Sequence, residues 1–77
     1  MTTKAIKVST TFQAIGDGTK SVLIEAQGGD FGWTDASAPD ATTPVHNLRS
    51  GESILLPAGI NVQVMGGGGS CVYTIYP

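Results

Sequence analysis

Apolar residues in this sequence recur at every second position, in short segments that glycine and proline interrupt. In the first segment, near residues 3–14, Ile6, Val8 and Phe12 alternate with polar side chains. A period of two is typical of a β-strand, whose successive side chains point to opposite faces. No window of helical length carries an apolar stripe at i, i+3 and i+4 free of glycine and proline. The pattern therefore predicts an all-β chain with essentially no helix.

The same pattern predicts further strands, with glycine-containing turns between them. The strands are expected near residues 20–27, 52–57, 60–65 and 71–76, and the turns near 16–18, 57–59 and 66–69. Residues 10–14 and 21–27 are expected to form a hairpin or a tight sheet corner. Residues 28–50 are predicted to form a long loop, with one short strand at 31–34. The fold class is thus a small antiparallel β-sandwich or barrel of about five to seven short strands.

The length of 77 residues permits a single domain, residues 1–77. A core of this size stabilises a chain only marginally, and such domains often add disulfides, a metal or a partner chain. Cys71 is the only cysteine and His46 the only histidine, so neither an intrachain disulfide nor a Cys/His zinc cluster can form. We therefore expect very good packing, oligomerisation or docking on a larger structure, and favour a homo-oligomer.

The charge balance excludes several kinds of partner. Four basic and six acidic residues give a net charge of −2, and only 13% of residues are charged. That share is about half the usual one, and four scattered cations cannot form a phosphate-binding patch, so no nucleic-acid binding is expected. No apolar run has the length of a signal peptide or a membrane span. We expect synthesis in a cytoplasm, no membrane association and a surface largely covered by partners.

Sequences that resemble catalytic or ligand motifs do not meet the requirements of those motifs. The glycine run at 66–69 lacks the lysine and the following helix of a phosphate-binding loop, and is predicted to be a flexible hairpin turn. The spacing of Asp30, Asp35 and Asp40 does not match a calcium loop, so turn-forming roles are expected. Cys71 alternates with apolar residues, which indicates a buried, unreactive thiol. We predict no enzymatic activity, no cofactor and no metal site.

The aromatic residues give the one candidate interface or ligand loop. Phe12 and Tyr73 are expected in the core, whereas Trp33 lies in the glycine-rich segment. An exposed Trp33 would stack on a sugar ring or anchor a protein interface; alternatively, it folds back and closes one end of the sandwich. The candidate residues are Phe31, Trp33, Asp35 and His46.

The order of several short segments resembles a family of viral proteins. These segments are SVLIE at 21–25, DASAP at 35–39, LRSGE at 48–52, PAG at 57–59 and VQV at 62–64 before the glycine run. The order is similar to that of small β-sandwich virion proteins of tailed bacteriophages, including capsid decoration (cement) proteins and head or tail accessory proteins. The resemblance implies a structural role, often as a trimer at three-fold positions that bridges capsid subunits. It assigns no functional residue.

These observations lead to one main hypothesis and two alternatives. The main hypothesis is a non-enzymatic, decoration-like virion protein, made in the host cytoplasm, that self-associates (a trimer is favoured) and docks on the major capsid or another virion protein. The first alternative is a small binding module for surface carbohydrate or a host receptor, acting through the Trp33 loop. The second is an accessory subunit of a phage tail or neck.

Overall fold

The computed structural model describes residues 2–77 and confirms the all-β prediction, since this part of the chain consists of strands and connections without a helix. The eight strands are β1 (Thr2–Lys7), β2 (Gln13–Ile15), β3 (Val22–Gln27), β4 (Phe31–Thr34), β5 (His46–Leu48), β6 (Ser53–Leu56), β7 (Val62–Met65) and β8 (Ser70–Ile75). Their number slightly exceeds the five to seven expected, because one predicted strand is divided and one was not foreseen.

The strands form two four-stranded antiparallel sheets. Sheet I has the order β1-β8-β3-β6, and sheet II has the order β2-β7-β4-β5. Only β4 and β5 are consecutive strands of the same sheet; every other connection crosses from one sheet to the other. Two four-stranded sheets connected in this way form an eight-stranded jelly roll, a β-sandwich built from two Greek keys. The sandwich alternative of the predicted fold class is therefore the correct one.

The core lies between the sheets and takes side chains from both. In β3 the buried residues Val22, Ile24 and Ala26 alternate with more exposed ones, as a strand with one face on the core requires. The remaining buried apolar residues are Val8, Ile15, Phe31, Leu48, Leu56, Val62, Val64 and Cys71. The burial predicted for Cys71 is confirmed.

The segment predicted as one strand over 3–14 is interrupted. Val8 and Ile15 are both buried, although residues 8 and 15 of one continuous strand would point to opposite faces. The alternation therefore changes phase between β1 and β2. The change occurs where the chain passes from sheet I to sheet II. The predicted hairpin between 10–14 and 21–27 does not form, since β2 pairs with β7 while β3 pairs with β6 and β8. The connection between β2 and β3 crosses from sheet II to sheet I.

The segment 28–50 is more ordered than the prediction of a long loop with one short strand. The strand expected at 31–34 is present as β4, but β5 was not predicted. Its three residues place only Leu48 in the core, so they show no apolar alternation. The glycine run at 66–69 is likewise not a hairpin turn, because it connects β7 and β8 in opposite sheets.

Candidate functional site

The candidate loop contains a stacked pair of rings. Trp33 in β4 and His46 in β5 are cross-strand partners, and their ring centroids lie 4.7 Å apart with an interplanar angle of 30°. Trp33 is partly buried and packs against the core, whereas His46 is exposed on the edge strand. The arrangement agrees with the expectation that Trp33 folds back onto the sandwich, and it covers part of the indole with the imidazole.

The other predicted site residues are placed differently. Phe31 is only 3% exposed and belongs to the core, so it cannot contribute to an interface or ligand loop. Phe31 and Trp33 lie two positions apart on β4 and so share its core-facing side, with Phe31 more fully buried than Trp33. Asp35 follows β4 directly and is exposed. Tyr73 packs against the core as expected, but Phe12 is only partly buried and lines a surface groove.

Of the three loop aspartates, Asp40 makes the local bonds that a turn-forming residue makes, whereas Asp30 bonds to a distant segment. Asp40 Oδ1 accepts hydrogen bonds from the hydroxyl of Thr42 at 2.7 Å and from the backbone N–H of Thr42 at 2.9 Å. It also accepts one from the hydroxyl of Thr43 at 3.3 Å. These bonds, the Thr42 hydroxyl first, lower the pKa of Asp40. Asp30 Oδ1 accepts from the backbone N–H of Ser50 at 2.9 Å. Within residues 2–77 no group of three His, Cys, Asp or Glu side chains could hold a metal ion.

A groove of about 650 Å³ lies on the outer face of sheet II. Its floor is formed by Gln63 and Met65 of β7, whose neighbours Val62 and Val64 face the core. One wall is residues 10–12, and the other is formed by residues 39–45 of the β4–β5 connection. We call this feature the outer groove. Sequence reasoning missed it because three segments distant in the chain build it and none of them carries a motif.

The second wall of the outer groove is held close to sheet II by a glycine. A Cβ atom on Gly32 would lie 2.6 Å from Cγ2 of Val45, so a larger residue there would push the β4–β5 connection away. Gln63 Nε2 also donates to the Ser37 carbonyl at 3.4 Å. The wall is therefore fixed to the sheet by packing, supported by a long hydrogen bond.

The outer face of sheet I is a second candidate surface. Leu55 of edge strand β6 is 58% exposed and lies beside Leu23 of β3. The same row continues through Thr74 to Thr3, whose hydroxyls are 2.7 Å apart. The next row contains Ser53, Glu25, Val72 and Ala5. We call these two rows the apolar sheet face, because half of their residues are apolar, three of the others are uncharged Thr or Ser, and Glu25 is their only charged residue.

The chain matches no protein-family model, and comparison with curated proteins and with solved structures found no significant similarity. Residues 2–77 also contain no helix that is long and apolar enough to cross a membrane. The class that the fold defines is therefore a small jelly-roll domain, with one groove and one weakly charged sheet face as its candidate surfaces.

Proposed function

We propose that this chain is a non-enzymatic structural protein of a virion, of the capsid decoration type, that self-associates and docks on the particle shell. The observation that carries the proposal is the apolar sheet face, with Leu55 58% exposed. Jelly rolls serve as viral capsid domains, but also as lectins and cupins. The fold is thus compatible with the proposal without selecting it, and support for the proposal comes from the surface.

The apolar sheet face has the properties of a surface that a partner covers. Strand β6 carries no charged residue from Ser53 to Leu56, and exposed apolar patches on edge strands favour association. Burying such a patch contributes about 25 cal/mol per Å². Because only 13% of the residues are charged, little desolvation of charge opposes contact. A second copy of the chain is the occupant we assign to this face, because the chain's few charges leave the surface of a neighbouring copy, too, with little charge to desolvate.

Self-association is tested by light scattering and thermal unfolding across a dilution series. We expect a closed oligomer, a trimer in the favoured case, whose melting temperature falls on dilution. Leu55→Lys should shift the mass toward the monomer. The matched control is Ala14→Lys, which places the same charge on an exposed position of edge strand β2 in the other sheet and should leave the mass unchanged. A monomer at every concentration would contradict the proposal.

The virion role is tested on particles purified from the culture that produces the chain. Quantitative mass spectrometry should find the chain in a fixed, high ratio to the major capsid protein. A few copies per particle would instead favour the alternative of a tail or neck accessory subunit. Absence from the particles would contradict both. The remaining alternative, a binding module that uses the Trp33 loop, predicts that saccharide or receptor changes Trp33 fluorescence; the contact with His46 leaves less of the indole free for that role.

A further inference from the structure

The outer groove has the size and the preformed shape of a small-molecule site. Its volume of about 650 Å³ lies within the range of roughly 300–1,000 Å³ that such sites have. The β4–β5 wall is held in place by the bonds within residues 40–43: Asp40 N–H donates to the Thr43 hydroxyl at 2.9 Å, and Thr43 N–H donates to the Asp40 carbonyl at 3.1 Å. Ligand binding would therefore cost little conformational entropy in the groove.

The lining combines apolar and hydroxyl-bearing side chains. Phe12, Val45 and Met65 are partly buried and offer carbon surface. Thr10 and Thr11 stand on the opposite wall, and neither of their hydroxyls has a hydrogen-bond partner within residues 2–77. Apolar walls with a few polar groups that fix orientation are typical of small-ligand sites. A pyranose ring presents C–H faces and hydroxyls together, and so matches both parts of this lining.

The charge of the groove restricts the ligand further. No lysine or arginine lines it, and Asp40 is its only ionisable side chain. Phosphate, sulfate and carboxylate ligands would meet this carboxylate without a compensating cation, so they are disfavoured. Oδ1 of Asp40 is occupied by Thr42 and Thr43, whereas Oδ2 has no hydrogen-bond partner in the described part of the chain. Oδ2 is therefore available to accept a hydrogen bond from a ligand hydroxyl.

We propose that the outer groove binds a neutral saccharide, with its carbon face against Phe12 and Met65 and its hydroxyls on Thr10, Thr11, Asp40 Oδ2 and the Gln63 amide. The groove lies on sheet II, whereas the surface assigned to self-association lies on sheet I. The site goes beyond the structural role, because a decoration protein with such a groove would also attach its particle to glycans.

The test is an amide NMR titration of the whole chain with maltose, cellobiose, lactose, mannobiose and diacetylchitobiose, each to about 10 mM, tenfold above a weak dissociation constant of about 1 mM. At least one sugar should shift the resonances of residues 10–12, 40–43 and 63–65. No shift with any of the five, or shifts confined to Trp33 and His46, would overturn the proposal. The proposal would also be overturned if a lysine-rich peptide shifted the groove resonances and none of the five sugars did.

Three variants, two in the groove and one on the apolar sheet face, separate the groove from the rest of the surface. Ala41→Trp fills the groove from an exposed wall position and should weaken binding at least about tenfold. Thr11→Val keeps the shape but removes one hydroxyl, and should weaken binding by about threefold to tenfold. Leu55→Lys changes the apolar sheet face and should bind the sugar like the unaltered chain. Dispersed amide spectra show that each variant is folded. Equal affinity in the Ala41→Trp variant would overturn the proposal, whatever the oligomeric state.

Discussion

At the scale of single residues, a close approach of two backbone segments depends on two glycines. A Cβ atom on Gly69 would lie 2.8 Å from the carbonyl oxygen of Gly29. Gly69 is buried, and its own carbonyl accepts the N–H of Val8 at 2.9 Å. The β3–β4 and β7–β8 connections therefore pass each other at a separation that only glycine permits. Gly67, two residues earlier, has no atom within 4 Å of the corresponding Cβ position.

These two glycines provide a matched pair of substitutions. Gly69→Ala should lower the free energy of unfolding by about 1–3 kcal/mol, because the new methyl group meets backbone atoms that cannot move aside. Gly67→Ala adds the same methyl group in open space, at a position without positive φ, and should change stability by no more than about 0.5 kcal/mol. Urea denaturation of both variants measures the difference. Equal losses would show that the close approach does not occur.

The Cys71 thiol gives a prediction about pH. Burial raises the pKa of Cys71 from 9.0 to about 11. The folded state therefore keeps the thiol proton between these values while the unfolded state loses it, so the stabilisation is complete below pH 9 and declines toward pH 11. The decline should reach about 2 kcal/mol. Denaturation at pH 8 to 11 measures it, and Cys71→Ala should remove this component while the contributions of other groups remain. An identical pH profile in the variant would contradict the prediction.

At the scale of the elements, the short strand β5 is attached to sheet II through its pairing with β4. Apart from Leu48, its residues are exposed, so the contact between Trp33 and His46 provides much of its side-chain packing. Offset aromatic pairs contribute about 0.5–1.5 kcal/mol beyond the area they bury. This contact and the burial of Leu48 add side-chain packing to the backbone pairing with β4.

A double-mutant cycle measures the coupling between these rings. Trp33→Leu and His46→Ala should show a coupling energy of about 0.5–1 kcal/mol in the free energy of unfolding. The control cycle combines Trp33→Leu with Thr74→Ala, since Thr74 lies on the outer face of the other sheet, and should give additive effects within about 0.3 kcal/mol. A first cycle that is also additive would mean that the two rings stabilise the chain independently.

Sequence reasoning predicted those elements in which alternation continues through the whole strand. Val22, Ile24 and Ala26 identify β3, and Cys71, Tyr73 and Ile75 identify the inner side of β8. The division of the first segment was missed because β-branched and apolar residues continue through the crossing, where only the phase changes. The pairing of strands was not predictable from local pattern, since partners such as β1 and β8 lie at opposite ends of the described chain. For the same reason the outer groove had no sequence signal.

At the scale of the whole molecule, nearly every sheet contact joins distant parts of the chain. Five of the six strand pairings, β1 with β8 among them, join strands that are not consecutive in sequence. The accessible surface of 4467 Å² is close to the roughly 4,400 Å² expected for a folded chain of this mass, so the structure reaches ordinary compactness with a non-local topology. The chain must therefore lose the entropy of closing long loops before most of the stabilising contacts between strands can form.

This topology predicts slow folding for a chain of 77 residues. All-β chains with mainly non-local pairings fold in milliseconds to seconds, and we expect the same range here in stopped-flow refolding followed by the fluorescence of Trp33. This folding phase should not depend on protein concentration, because it forms one sandwich. If copies then join through the apolar sheet face, a second phase whose rate rises with concentration should follow, detected by light scattering and absent from Leu55→Lys. Completion of refolding within about 100 μs would contradict the first expectation. A second phase that persists in Leu55→Lys would place the contact between copies on another surface.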